Sequence, residues 1–334
     1  VRHLQSLQTK ENPCSSIQIT LSKCRVSDQS AVESEIQSVS PTHIISTIGR
    51  THGVLADGTK VNTIDYLESL DKTQQNVHDN LFAPMMLALL CIKHGIHFTY
   101  LGTGCIYHYE EKSAAENEES KSVSYNEQQV FTEEDKPNFF GSQYSTVKGF
   151  TDQLMQVVEY TRNVLNVRIR MPITDELDNP RNLIAKLVSY KRITRVPNSM
   201  SNLDELLPIM LDMALRRRFG TIHLVNPGSI CHGEILKMYQ ELIDPQHEWQ
   251  EIDVDELTKV CSVKAARSNN TLSTEKLEKW YPKQIKPIQE SIRETLKRMK
   301  RNLEQSGRET ATPKSISPSA KESSVNSSAS VDDM

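Results

Sequence analysis

Short apolar, β-branched runs alternate along this chain with segments whose apolar residues recur at helical spacing. Two helices are predicted, over residues 80–95, where Gly95 suits a C-cap, and over residues 142–160. The strand-like runs lie at residues 17–21, 43–47, 97–101, 164–170 and 221–225. Such alternation is typical of a parallel sheet with helices on both faces, so the sequence predicts an α/β, doubly wound fold.

The alternation loosens after residue 171. We expect the prolines at positions 172, 180, 197 and 208 to interrupt helices and strands there. The pattern predicts a sheet domain over residues 1–170 and a smaller, intertwined domain over residues 171–303, which returns strands to the sheet. Residues 304–334 are rich in Ser, Thr and Pro, which predicts a disordered tail. The polar residues 110–129 predict an exposed loop.

Charge and composition exclude several functions. The chain has 39 basic and 43 acidic side chains and a net charge of -4, which argues against a protein that coats nucleic acid. No apolar run approaches the roughly 18 residues of a membrane span. The six cysteines are scattered without a Cys-x-x-Cys pair, which favours reduced thiols in the cytoplasm over disulfides or a zinc site. We therefore expect a cytoplasmic protein without a bound metal.

Tyr144 and Lys148 lie one turn apart on a predicted helix, so their side chains share a face. A neighbouring ammonium is expected to lower the pKa of a phenol, which suits proton transfer to a sugar or alcohol oxygen. Alone, the pair is more typical of an ordinary exposed helix than of a catalytic site. Upstream, the strand before Thr103 and Cys105 closes on small residues, and ligands bind beyond the carboxyl ends of such strands.

Several longer motifs resemble the nucleotide-rhamnose synthases of the extended short-chain dehydrogenase/reductases, in the NAD-dependent epimerase/dehydratase superfamily. They are TGCIYHYE, FTEEDKPNFFGSQYSTVKG, RIRMPITDELDNPRNLIAKL, VPNSMSNLDELLPIMLDMA, NPGSICHGEILKMYQELIDP and RSNN, and the resemblance spans about residues 41–289. It implies a Rossmann-like NAD(P)-binding domain and a substrate-binding domain. It also implies NADPH or NADH as cofactor and a UDP- or dTDP-linked 4-keto-6-deoxyglucose as substrate. The product would be nucleotide-L-rhamnose, made by C3/C5 epimerisation and C4 reduction, and a homodimer is compatible with the resemblance.

The matched motifs also imply site residues. Thr103, Tyr144 and Lys148 correspond to the reductase triad, while Cys105 and Lys186 correspond to the epimerase acid/base pair. A C4 ketone acidifies the hydrogens at C3 and C5, so inversion needs a base and an acid. The remaining implied positions are Gly49, Asn80 and Arg170, with Tyr144 and Lys148, for the cofactor, and Arg181, Asn182, Asn198 and Arg267 for the nucleotide sugar.

The chain departs from the family at its start. Its twelve glycines begin at Gly49, so the glycine-rich turn that would cradle a dinucleotide pyrophosphate before residues 4–9 is missing. The favoured interpretation is an N-terminally incomplete sequence that begins inside the first helix, at residues 1–10. The alternative is a catalytically silent subunit that has lost dinucleotide binding and regulates a partner enzyme. Retention of all five catalytic candidates favours the enzyme.

Overall fold

The computed structural model describes residues 18–20, 24–110, 129–179, 181–254, 256 and 264–305. Its first elements are α1 (Gln29–Val39), β1 (His43–Ser46), β2 (Gly53–Val54), β3 (Lys60–Val61), α2 (Thr73–Val77), α3 (Ala83–Lys93), β4 (His97–Thr103), β5 (Val130–Phe131) and α4 (Gln143–Val158). Short 3₁₀ helices cover Ile64–Glu68, Leu70–Lys72 and Glu159–Thr161, and a π-helical turn covers His78–Phe82.

The later elements complete the fold. They are β6 (Val164–Ile169), β7 (Pro172–Ile173), α5 (Leu183–Ser189), β8 (Arg192–Thr194), β9 (Ser201–Asn202), α6 (Leu203–Leu215), β10 (Gly220–His223), α7 (His232–Leu242), β11 (Gln250–Ile252), β12 (Thr271–Leu272), α8 (Glu275–Trp280) and α9 (Ile288–Gln305).

Four strands form the main sheet in the order β1-β4-β6-β10, and all of them run parallel. The register places His97 beside His43, and Phe98 beside Val164. Four of the five predicted strands are therefore confirmed to within a few residues. The fifth, at residues 17–21, is wrong where it can be examined, because residues 18–20 form no strand.

Alternate residues of the strands face opposite layers of helices. Phe98 and Tyr100 pack with α1, α3 and α4, whereas Leu101 and Val167 pack against α6 and α8. Because side chains alternate across a strand, each face needs its own helical cover. The predicted α/β fold with helices on both faces of a parallel sheet is confirmed.

A separate apolar cluster is built from the later part of the chain. It joins α5, α7 and α9 through buried residues such as Ile184, Leu236 and Ile292. This cluster lies within the predicted second domain, whose boundary near residue 170 stays a prediction. Meanwhile β10 and α6 return to the main sheet.

Two sequence expectations need correction. Pro208 does not interrupt a helix, since it lies inside α6, whose buried face packs Leu206, Ile209 and Met213 on the sheet and outweighs the lost backbone bond. The helix α9 continues to Gln305, so the predicted tail cannot begin at 304. The rest of that tail, residues 111–128 of the predicted loop and the predicted helix 1–10 lie outside the described residues. Within the described ranges, no helix is long and apolar enough to cross a membrane.

Candidate active site

Tyr144 and Thr103 meet at the carboxyl end of β4. Ser142 caps α4 by accepting a hydrogen bond from the Ser145 N–H at 3.0 Å, which starts the helix one residue before Tyr144. Glu68 adds a second cap, since its carboxylate accepts from the Gln143 N–H at 3.0 Å. The buried Tyr144 side chain then hydrogen-bonds the side chain of Thr103, the last residue of β4.

The predicted lowering of the Tyr144 pKa by Lys148 is wrong for this structure. Burial raises the pKa of the Tyr144 phenol, the nearby Cys105 raises it further, and the hydrogen bond with Thr103 opposes the shift only in part. The Lys148 ammonium points elsewhere, so it does not offset the loss of solvation. Tyr144 therefore holds its proton firmly at neutral pH.

Lys148 contacts the strand beneath it. Its Nζ donates to the Tyr100 hydroxyl and lies 4.6 Å from the centroid of the Tyr100 ring. Burial lowers the Lys148 pKa to about 8, against opposing contributions from Asp152 and Cys105. The amine thus remains mostly protonated at neutral pH in a site closed to solvent.

A polar network continues along the same face of α4. Asp152, one turn beyond Lys148, accepts two hydrogen bonds from Arg168 of β6, at 2.8 and 2.7 Å. Asn166 donates to the same carboxylate at 2.8 Å. These side chains are buried, and their mutual pairing makes a buried carboxylate tolerable beside the site.

Cys105 lies just beyond Thr103 and is partly exposed. Its N–H donates to the Thr103 hydroxyl at 3.1 Å, and its Sγ accepts from Nη1 of Arg170 at 3.4 Å. The Arg170 guanidinium is held in turn by Ser268 and Asn198. The structure therefore brings Thr103, Cys105, Tyr144 and Arg170 into one group.

Lys186 belongs to a second, cationic group on α5. Burial lowers its pKa, and the charges of Arg181 and Arg267 lower it further. Among the described residues, no carboxylate forms an ion pair with Lys186. Nη2 of Arg181 lies 2.6 Å from Nε2 of His52, whose pKa is lowered by burial and then by Arg181. Converging cations of this kind suit a diphosphate.

The segment 64–68 joins the two groups. Arg267 forms an ion pair with Asp65 at 2.7 Å, and the adjacent Tyr66 packs in a cluster with Tyr144 and Cys105. One short 3₁₀ helix therefore contacts the catalytic candidates on one side and a cation of the second group on the other.

Asn182 and Asn198 have structural partners for their amides. Asn182 caps α5 and donates to the carbonyls of Thr174 and Glu176, both at 2.9 Å. Asn198 is fully buried and donates to the Val196 carbonyl and to Asn269. Their assignment to the nucleotide sugar stays a prediction, and the geometry shows both organising the backbone around the site.

Gly49 and Asn80 meet beyond the carboxyl end of β1. The Asn80 amide accepts from the Arg50 N–H at 2.9 Å and donates to the Arg50 carbonyl at 3.0 Å. A Cβ at position 49 would lie 3.1 Å from the Asn80 Oδ1, so glycine permits this close approach. Thr151 of α4 donates to the Asn80 carbonyl at 2.7 Å. The loop is thereby tied to the helix that carries Lys148.

Sequence reasoning missed Tyr100, Asp152 and His52. Asp152 could have been found, because it follows Tyr144 and Lys148 at the same four-residue spacing. Tyr100 lies in an apolar run with no local signal, and His52 approaches Arg181 only through the tertiary fold.

An α/β sheet with Thr103 and a Tyr-x-x-x-Lys helix at its carboxyl edge defines the class of the extended short-chain dehydrogenase/reductases. No protein-family model matches the chain. Protein L780 of Acanthamoeba polyphaga mimivirus is 44% identical over 283 residues, which cover 85% of this chain and 90% of L780. The bifunctional dTDP-4-dehydrorhamnose 3,5-epimerase/dTDP-4-dehydrorhamnose reductase of Arabidopsis thaliana is 35% identical over 276 residues, 83% of each protein.

Solved structures agree with these relatives. The crystal structure of the mimivirus L780 UDP-rhamnose synthase superposes with a TM-score of 0.73, covering 85% of this chain and 91% of that chain. The dTDP-4-dehydrorhamnose reductase of Clostridium acetobutylicum has a TM-score of 0.64 at 14% identity, covers 91% of this chain and 95% of its own, and supports the fold alone. The chain belongs to the nucleotide-rhamnose synthase family, and the resemblance expected from its motifs is confirmed.

Proposed function

We propose that this protein converts a nucleotide-linked 4-keto-6-deoxyglucose to nucleotide-L-rhamnose, by epimerisation at C3 and C5 and reduction at C4. The observation that carries the proposal is the meeting of Thr103, Cys105 and Tyr144 beyond β4. UDP is the first nucleotide to test, because the relative at 44% identity is named a UDP-rhamnose synthase. The relatives are named for enzyme activities, so nothing favours a silent subunit.

In the reduction, Tyr144 is the proton donor to the C4 oxygen. Its raised pKa keeps the phenol protonated until negative charge develops on that oxygen. Thr103 fixes the phenol through its hydroxyl and offers a second hydrogen bond for the same oxygen. The Tyr144 phenol is therefore protonated and oriented before the substrate binds.

The epimerisation uses Cys105 and Lys186. A proton leaves C3 or C5 to one group and returns to the opposite face from the other, which inverts the carbon. Cys105 is partly exposed beside Tyr144, and Lys186 is half-buried among cations that make its ammonium a better proton donor. Arg181, Arg267 and His52 surround Lys186 and would bind the diphosphate of the nucleotide.

A nicotinamide cofactor supplies the hydride to C4 when it is bound. The buried Tyr144 and Lys148 fit its ribose, since a protonated lysine with unused donors stands in a site closed to solvent. We test NADPH first, with NADH as the alternative, since solved proteins of the same fold are complexes with NADP or NADPH. We also propose a cytoplasmic location, because the scattered cysteines of the sequence include no Cys-x-x-Cys pair and favour reduced thiols.

We propose further that the protein works as a homodimer. The outer face of α4 exposes Phe150, Leu154 and Val157 at helical spacing, and α3 exposes Leu89. An apolar stripe of this kind on a charged, water-exposed protein marks a contact surface. A second copy would cover it without closing the carboxyl edge of the sheet.

A deuterium-exchange experiment separates the two chemistries. With UDP-4-keto-6-deoxyglucose in D₂O and no cofactor, the protein should exchange deuterium into C3 and C5. Cys105→Ser or Lys186→Ala should suppress the exchange, because serine does not ionise near neutral pH and alanine carries no proton. Tyr144→Phe should largely retain it. Exchange by Cys105→Ser at the wild-type rate would remove Cys105 from the epimerisation, and a wild type without exchange would reduce the proposal to a simple 4-keto-reductase.

A further inference from the structure

Arg170 is a buried cation without a carboxylate partner among the described residues. Its side chain is only 1% exposed, and its Nε has no hydrogen-bond partner. Arg168, two residues earlier, is equally buried but forms an ion pair with Asp152 at 2.7 Å. A buried charge is costly unless it is compensated, so the contrast between these two arginines requires a reason.

The groups that hydrogen-bond to the Arg170 guanidinium are neutral, except for one that can ionise. Nη1 donates to the Ser268 hydroxyl at 3.0 Å, and Nη2 donates to the Ser268 carbonyl at 2.6 Å and to the Asn198 amide oxygen. The remaining contact is from Nη1 to the Cys105 Sγ at 3.4 Å. The group that can supply a compensating anion at this guanidinium is therefore the Cys105 thiol.

The other titratable groups nearby do not take that role. Burial lowers the pKa values of His108 and His232 to about 4, and the nearby charge of Arg170 contributes a smaller part of this shift. Both histidines are therefore neutral at pH 7. Tyr109 also interacts with Arg170, but its hydroxyl bonds the Pro197 carbonyl and Thr271. Facing Cys105 itself are Tyr144 and Lys148 of α4, together with Arg170.

We infer that Arg170 is a positioning residue for the epimerisation, which holds the Cys105 sulfur and stabilises its anionic form. The inference rests on the proposed function and deepens it. The thiolate takes the proton from C3 or C5 and becomes a thiol, and the electron pair passes to the C4 oxygen as an enolate. The Lys186 ammonium returns a proton to the opposite face, and exchange with water then restores both groups. Cys105 is thereby the base and Lys186 the acid.

The shape of the guanidinium explains why arginine stands here. Both of its terminal nitrogens are anchored on oxygens of Ser268 and Asn198, which leaves one N–H directed at the sulfur. The Cys105 backbone is fixed as well, through its N–H on Thr103. A rigid fork delivers its charge to one atom in a way that a flexible ammonium does not.

The test measures how fast the Cys105 thiol is alkylated in the absence of substrate. Iodoacetamide alkylates thiolates, and the rate at Cys105 is followed by peptide mass spectrometry at pH 7 for wild type, Arg170→Met and Arg170→Lys. Arg170→Met should react about tenfold more slowly, and Arg170→Lys, which keeps the charge but loses the planar fork, should recover only part of the rate. Deuterium exchange into UDP-4-keto-6-deoxyglucose should fall in the same order.

A measurement of C4 reduction distinguishes a role of Arg170 in the epimerisation from a general disruption of the site. With the already epimerised 4-keto sugar, NADPH consumption does not need Cys105, so Arg170→Met should lose far less reduction than exchange. Equal alkylation and exchange in Arg170→Met and wild type would overturn the inference. So would an Arg170→Lys variant as impaired as Arg170→Met while both retain the wild-type circular dichroism spectrum.

Two further outcomes remain decisive. If Arg170→Met fails to fold, Ser268→Ala replaces it, because it removes one acceptor of the guanidinium and keeps the charge. Cys105 alkylation should then slow about threefold, and an unchanged rate would overturn the inference. If wild type shows no deuterium exchange while alkylation still depends on Arg170, the proposed function fails and the role of Arg170 beside Cys105 stands.

Discussion

Replacing Lys148 with methionine should make the protein more stable, while it removes the lysine that we propose holds the cofactor ribose. Burial lowers the Lys148 pKa from 10.5 to about 8. At about 1.4 kcal/mol per pH unit, holding this ammonium in the folded state costs about 3 kcal/mol below pH 8. Methionine leaves the Tyr100 hydroxyl without its partner, which costs about 1–3 kcal/mol, so Lys148→Met alone should gain about 1 kcal/mol at pH 7. In a Tyr100→Phe background the gain should approach 3 kcal/mol, since no hydroxyl is then orphaned.

The pH dependence of this gain is the sharper readout. An unfolded lysine keeps its proton up to pH 10.5, whereas folded Lys148 loses its proton near pH 8. Between these values the unfolded state binds more protons, so the stability contributed by this site rises with pH in wild type and is flat below pH 8. The advantage of Lys148→Met should therefore shrink by about 2 kcal/mol from pH 8 to pH 9.5.

Urea unfolding followed by circular dichroism measures both quantities. Lys279→Met, at an exposed position on α8, is the control for introducing a methionine. A difference between Lys148→Met and wild type that stays constant from pH 7 to pH 9.5 would refute the reasoning. It would show that Lys148 is solvated or paired with an anion rather than buried against Tyr100.

Three further predictions follow from the site and its surroundings. Tyr144→Phe should lower the rate of C4 reduction by about 10²–10⁴-fold with an unchanged fold, and unchanged NADPH consumption would contradict its role as donor. Leu154→Asp on the exposed face of α4 should convert a dimer to a monomer in light scattering, and a dimer that persists in this variant would place the contact elsewhere. Removing residues 306–334 should leave the melting temperature within about 2 °C, and a larger fall would show that this segment packs on the body.

The strands of the main sheet could be predicted because each is a short apolar run, and burial on both faces of a parallel sheet demands that pattern. Thr103, Cys105 and Tyr144 could be placed together because strand ends and helix starts meet at one edge of such a sheet. Pro208 was predicted to interrupt a helix, because helix propensity alone counts the full cost of a proline inside a helix. The helix α6 forms nevertheless, since burial of its large apolar face outweighs that cost.

The directions in which side chains point could not be predicted from the sequence. The expectation for the Tyr144 pKa failed because spacing places Lys148 on the same helical face but does not say where its ammonium points. Arg170 was expected at the cofactor, and its contacts with Cys105 and Ser268 arise from chain segments 65 and 98 residues away. Long-range contacts of this kind have no local signature.

We propose that one site both inverts and reduces a nucleotide 4-keto sugar. The most direct measurement is to supply UDP-4-keto-6-deoxyglucose and NADPH in D₂O and to identify the product by nuclear magnetic resonance. We expect UDP-L-rhamnose with deuterium at C3 and C5 and with hydrogen from NADPH at C4. A C4-reduced sugar without inversion or deuterium at C3 and C5, or no product while the relative L780 converts the same substrate, would contradict it.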